Sequence, residues 1–136
     1  VILCGTVNSD PEKVELKDRQ CCRYRMRIDR KYYVASQCDI ERDYPWVYSY
    51  EKQAGNDLRY LKKGSSILID AYMRVRSVKQ DIVCETCGKT YQFNDEAVEF
   101  IPYAVEYLKD FITEEEAELL EYEKEQELKK SLGDEL

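Results

Sequence analysis

Between positions 21 and 30 the chain alternates residue by residue. Cys22, Tyr24, Met26 and Ile28 share one parity, and Cys21, Arg23, Arg25 and Arg27 share the other. A run that is apolar at every second position and charged between can bury its apolar side only as a strand lying against a core. The same period governs most of the first 113 residues. Residues 1–7 form an apolar run interrupted by Gly5, followed by Asn8-Ser9-Asp10-Pro11, all residue types that favour tight turns. A polar loop at about 34–43 leads into residues 44–50, rich in strand-forming aromatics.

The period changes once. Across residues 51–63, Ala54, Leu58 and Leu61 recur at helical spacing, Lys62 and Lys63 fall in the last turn, and Gly64 follows as a stop. Period two resumes at 66–76, where Ile67, Ile69, Ala71, Met73 and Val75 share a face. An insertion at about 79–97 carries a Cys-x-x-Cys, and a last strand-like run covers 98–108. Pro102 inside that run predicts an edge position or a bulge. Three strands, a helix and two strands is the order of a five-stranded OB-fold barrel. The expectation is an all-β fold with one short helix. The barrel occupies 1–112, an acidic helical tail occupies 113–136, and another small β-rich barrel is the alternative.

Charge is informative only once it is located. The chain carries a net charge of −7. Residues 1–112 hold 18 basic and 18 acidic side chains, and residues 113–136 hold 3 and 10. The body is neutral and the tail carries the excess, so an acidic total does not argue against an anionic partner. The chain contains no histidine. That removes the commonest general base, Ser-His and Cys-His nucleophiles, and mixed Cys/His zinc sites. An enzyme is the least expected class. No run approaches the roughly 18 apolar residues of a membrane span, and no signal-peptide pattern opens the chain. A cytoplasmic location with reduced thiols is therefore expected for the six cysteines.

Several segments are similar to the single-stranded-DNA-binding proteins of bacteria and phages. Val1-Ile2-Leu3-Cys4-Gly5-Thr6-Val7-Asn8-Ser9-Asp10-Pro11-Glu12 resembles that family's opening strand, and Tyr24-Arg25-Met26-Arg27-Ile28-Asp29-Arg30 its second. Leu61-Lys62-Lys63-Gly64-Ser65, with the strand ending Arg74-Val75-Arg76, resembles its most recognisable segment. The likeness covers roughly residues 1–76, and 98–108 more loosely. It implies an OB-fold assembled as a dimer or tetramer, wrapping single-stranded DNA without strong sequence preference in replication, recombination or repair. The family's stacking aromatics lie at the end of its second strand and along its third, where this chain has Tyr32, Tyr44 and Tyr50. Its fourth aromatic, after the fourth strand, has no clear counterpart. The Cys-x-x-Cys insertion departs from the family pattern. So does the ending Gly133-Asp134-Glu135-Leu136, where the family has an acidic tip closing on Pro-Phe.

Binding an unpaired strand needs positive charge along phosphates and flat rings under bases. With Tyr24, Met26 and Ile28 inward, Arg23, Arg25 and Arg27 form an outward row, and Arg30 and Tyr32 extend it. Tyr44, Trp46, Tyr48 and Tyr50 are spaced by two, so an unbulged strand sets all four on one face. The alternative is that these rings fill the core. Burying four polar-tipped aromatics would demand a partner for each. Arg74 and Arg76 have outward parity, whereas Lys62 and Lys63 read as helix-end charges.

Val83-Cys84-Glu85-Thr86-Cys87-Gly88 resembles half of a zinc knuckle. A closed site needs two further ligands: Cys21 or Cys22 with Cys38, or a matching pair from a second subunit. Unbound thiols and a redox pair are the competing readings, and Cys4 reads as core. In the tail, Thr113 and Glu116 form a capping-box pattern. A tail that competes with DNA or contacts replication and repair proteins stands against a merely solvated helix. The rival function is a protein–protein adaptor using the knuckle and tail, with RNA binding a third reading.

Overall fold

The computed structural model describes residues 1–30 and 41–134. Its elements are β1 (Ile2–Val7), β2 (Glu12–Glu15), β3 (Gln20–Asp29), β4 (Arg42–Asp43), β5 (Trp46–Tyr50), α1 (Glu51–Tyr60), β6 (Ser66–Val83), β7 (Thr90–Lys109) and α2 (Glu114–Asp134). β1 pairs antiparallel with both β6 and β3, β6 with β7, and β5 with β3, while β5 and β7 run parallel. The ring β1-β6-β7-β5-β3 therefore closes on itself, as an OB-fold does. β2 and β4 pair with β3 outside the ring.

Alternation decides which side chains fill the barrel. Cys22, Tyr24 and Met26 on β3 and Val47 on β5 are fully buried, packed with Val7, Ile67, Ile69 and Ala71. Gly5 sits where β1 crosses from β6 to β3, and a Cβ there would lie 2.2 Å from the backbone oxygen of Arg27. Only glycine permits that approach.

The helix ends earlier than its lysines imply. α1 stops at Tyr60, and Leu61 turns extended and drops into the core at 3% exposure. Lys62 and Lys63 belong instead to a turn closed by Gly64, at φ +97°, whose N–H donates to Val7 O at 2.8 Å. Burial of Leu61 outweighs the extra helical turn.

α1 closes the barrel with Ala54 and Leu58 and also buries an acid among them. Asp57 is completely buried and accepts hydrogen bonds from Tyr107 Oη at 2.7 Å and Gln53 Nε2 at 2.8 Å. Burial raises its carboxyl above the ordinary value of 3.8, against the opposing pull of those hydrogen bonds. A carboxyl that holds its proton more tightly in the fold adds stability below pH 3.8, and that share is lost as pH rises through the raised value. Asp57→Asn is expected to remove this decline. The difference in urea midpoint between parent and variant, followed from pH 3 upward, checks it; a pH-independent difference contradicts it.

The largest departure from the sequence pattern is the β6–β7 pair. The fourth strand was expected to end near Arg76 before an insertion at about 79–97. Instead the two strands stay paired from Ser66–Lys109 to Val83–Thr90, with one-residue register slips after Ser66 and after Asp70, and only Cys84 to Lys89 turn. Beyond Arg74 and Glu99 this hairpin clears the barrel. Met73 and Val75, placed with the core by parity, flank that boundary and are 58% and 48% exposed. A two-stranded ribbon in water has no inner face, so the apolar period disappears although the strand continues. Pro102 lies beside the bulge between Asp70 and Ala71, where the register slips by one residue.

α2 is capped by Thr113, whose Oγ1 accepts the Glu116 N–H at 3.3 Å. Its start docks on α1 through buried Ala117 and an Arg59–Glu121 pair at 3.2 Å, and its later turns are exposed. Among the described residues, no helix is long and apolar enough to cross a membrane.

Candidate functional site

On β5, Val47 and Ser49 point inward and are fully buried, so Trp46, Tyr48 and Tyr50 stand outside, partly exposed. The register sets Arg25 beside Trp46, Arg23 beside Tyr48 and Cys21 beside Tyr50. Tyr44 precedes the strand and is 41% exposed; Arg25 Nε donates to its carbonyl at 2.9 Å.

Rings and guanidinium groups interleave across this face. Arg25 lies 5.9 Å from the Tyr44 ring and 5.4 Å from Trp46, and Arg23 lies 5.4 Å from Trp46. From the other side Arg74 lies 5.8 Å from Tyr48 and 5.6 Å from Tyr50, and Arg76 5.9 Å from Tyr48. Arg19, which the alternation did not single out, lies 4.4 Å over Tyr50. A cation over an exposed ring contributes roughly 0.5–1 kcal/mol.

The arginine row is less bare than its strand suggests. Carboxylates from β2, from the end of β3 and from β4 meet it: Glu12 at 3.0 Å from Arg23, Asp29 at 3.6 Å from Arg27, and Asp43 at 2.8 Å from Arg30. Among the described residues no carboxylate pairs with Arg25. Opposite, Glu99 is 2% exposed and accepts from Arg74 Nε at 3.1 Å and Arg76 Nε at 2.7 Å. Glu99 lies across from Trp46 on β5 and from Arg74 on β6, so it fixes both guanidinium groups against the tyrosines. Sequence reasoning missed it. The available signal was one acid at outward parity inside the apolar run Ala97-Val98-Glu99-Phe100-Ile101.

The same face runs out along the hairpin. Arg76 pairs with Ala97, Gln80 with Phe93 and Ile82 with Tyr91, placing Phe93 and Tyr91 on the side that carries Arg74 and Arg76. They are 40% and 55% exposed. Reading their segment as an insertion concealed them. Tyr32 and Cys38 lie outside the described residues.

The cysteines fall into separate places. Cys21 has outward parity but is 1% exposed; burial pushes its thiol up, partly offset by a hydrogen bond with Tyr50. Cys22 lies in the core, its thiol pushed up to about 12 by burial and then by Asp57. Neither can join Cys84 and Cys87 within one chain. Cys21 feels the Arg74–Glu99 pair, and the tip lies nine residues of strand further out, roughly 30 Å. At the tip, Cys84 is partly exposed, and hydrogen bonds from the backbone of Cys87 and Thr86 hold its thiol below the usual range. Cys4, expected in the core, is exposed because β1 turns Leu3 and Gly5 inward instead.

The closed five-stranded barrel has a counterpart among solved structures, and the sequence has one among protein families. A small single-stranded DNA-binding protein from Streptomyces coelicolor shares the fold, with a TM-score of 0.55 at 17% identity, covering 79% of this chain and 92% of that one. No curated protein sequence matches significantly. The sequence model described as the single-strand binding protein family matches residues 1–100. The chain thus belongs to the single-strand binding protein family, built on an OB-fold barrel.

Proposed function

We propose that this protein binds single-stranded DNA with little sequence preference and catalyses no reaction. Bases stack on Tyr44, Trp46, Tyr48 and Tyr50, and phosphates lie against Arg23, Arg25, Arg27, Arg30, Arg74 and Arg76. The observation that carries this reading is the interleaving of outward rings with guanidinium groups across β3, β5 and β6. Every base has a π-face, so stacking tolerates any sequence, while cations track the backbone. In keeping with its family, the protein would act as a homo-oligomer in replication, recombination or repair, inside the cell.

Trp46 is the chain's one tryptophan, which makes the test direct. Its emission is expected to quench on titration with oligo-dT, with an affinity that falls as salt rises. Absence of binding at low salt would refute the reading and leave the adaptor function. Preference for an RNA oligomer would redirect it to RNA.

Arg25 offers a finer check. With no carboxylate partner among the described residues, it is the arginine of this row most available to a phosphate. Each phosphate contact on a single strand adds about 0.7 to the slope of log affinity against log salt. Arg25→Ala is therefore expected to flatten that slope by about 0.7, and Arg23→Ala by less, because Glu12 already neutralises Arg23. Equal slopes for both variants would contradict this assignment.

A further inference from the structure

We propose that the tip of the β6–β7 hairpin is half of a tetrahedral zinc site, completed by the same two cysteines of a second copy of this chain. The two cysteines lie about nine residues of strand, roughly 30 Å, beyond the barrel, at the end of the ribbon that carries Tyr91 and Phe93.

The turn is shaped as a sulfur cradle. Cys84 N–H donates to Lys89 O and Gly88 N–H to Cys84 O, both at 2.9 Å, and Gly88 takes a left-handed φ of +72° that other residues rarely adopt. This winding brings Cys84 and Cys87 into one tight turn, three residues apart in sequence. Both cysteines thus sit at the outer end of the ribbon, and both are free thiols.

Two thiolates do not complete a site. Structural zinc takes four ligands, commonly four cysteines at about 2.3 Å, and catalytic zinc keeps three from the protein. Among the described residues, no group of three or more His, Cys, Asp or Glu could hold an ion. The buried barrel cysteines lie roughly 30 Å away along the strand. Among the described residues no second pair lies within reach of the tip, and the missing pair is assigned to another molecule.

The flanks of the tip favour a second copy as that molecule. Ile82, Val83, Tyr91 and Phe93 are 55%, 60%, 55% and 40% exposed, an apolar collar on a ribbon that otherwise projects into water. Clustered apolar surface of this kind marks a contact site. A twofold contact of one tip against another covers both collars and sets both cysteine pairs about the axis. One ion on that axis completes its shell with four thiolates, and each thiol that enters as S–H gives up its proton to solvent.

The experiment uses the full chain, reduced and kept free of oxygen, loaded with Zn²⁺ or with Co²⁺ as a spectroscopic probe. Metal per chain is measured after removal of excess ion, and sulfur ligands are counted by X-ray absorption. The expected result is one ion per two chains with four sulfur ligands. It is to be lost in Cys84→Ser/Cys87→Ser and kept in Cys38→Ser. The double variant changes only the exposed tip, and DNA titration and circular dichroism confirm that its barrel is intact. One ion per chain, two sulfurs per ion, no retained metal, or unchanged uptake in the double variant would each overturn the proposal.

Discussion

Replacing Trp46 and Tyr48 together with alanine is expected to weaken oligo-dT binding at least thirtyfold. Each stacked base gains roughly 1–3 kcal/mol from its ring, so two lost rings cost about 2 kcal/mol at the low end. The rings stand on the outer face of β5, and the core beneath them is made by Val47 and Ser49, which remain. The unfolding midpoint should therefore move little. Because the variant lacks the tryptophan reporter, binding is followed by anisotropy of a labelled oligonucleotide. The register places Arg23 and Arg25 beside the lost rings, and the double variant leaves them in position. Residual affinity should then rest on the ionic contacts and the remaining rings of Tyr44 and Tyr50, and its salt dependence should be nearly unchanged. Near-parental affinity with an intact fold would show that bases do not lie on this face.

Gly5→Ala should be the most damaging single-methyl change in the barrel. The added Cβ would meet Arg27 O at 2.2 Å and the Arg27 carbonyl carbon at 3.2 Å. These are backbone atoms of β3, held where Thr6 pairs with Arg27 to close the ring, so no flexible side chain can swing aside. Relief requires lifting β1 from β3. Overpacking a core typically costs about 1–3 kcal/mol, and a clash against backbone belongs at the upper end or beyond. Urea unfolding should show a loss of about 3 kcal/mol, equivalent to a thermal midpoint lower by on the order of 10 °C. Gly133→Ala, in an exposed turn of α2 with open space around it, serves as the control and should be neutral or slightly stabilising. A Gly5→Ala protein as stable as its parent would mean that the barrel does not close at this point.

Parity was the most transferable signal in the chain. Inward Cys22, Tyr24 and Met26 and outward arginines follow from period two, and so does the outward placing of Trp46, Tyr48 and Tyr50. Periodicity of two is a local property, set by which way each Cβ leaves the strand. The order of three strands, a helix and two strands was equally legible, and so was the Thr113 cap, because turn and cap chemistry act within a few residues.

Parity alone misled wherever the third dimension intervened. Met73 and Val75 keep the inward parity of β6 but have no interior to face, because the hairpin has left the barrel. Cys21 keeps the outward parity of β3, yet lies buried beside Tyr50. The carboxylates that temper the arginine row come from β2, from the end of β3 and from β4, and Glu99 reaches Arg74 and Arg76 across 25 and 23 positions of sequence. Such pairings depend on register and closure, which set distances between residues remote in the chain. What the amino-acid sequence by itself determined was the barrel, its inward and outward faces, and the residue types on them. The tertiary structure alone decided which charges are neutralised, how far the hairpin carries the cysteines from the barrel, and hence which residues can act together. Side-chain direction is a property of each residue's own backbone, whereas ion pairing and ligand sets are properties of distance.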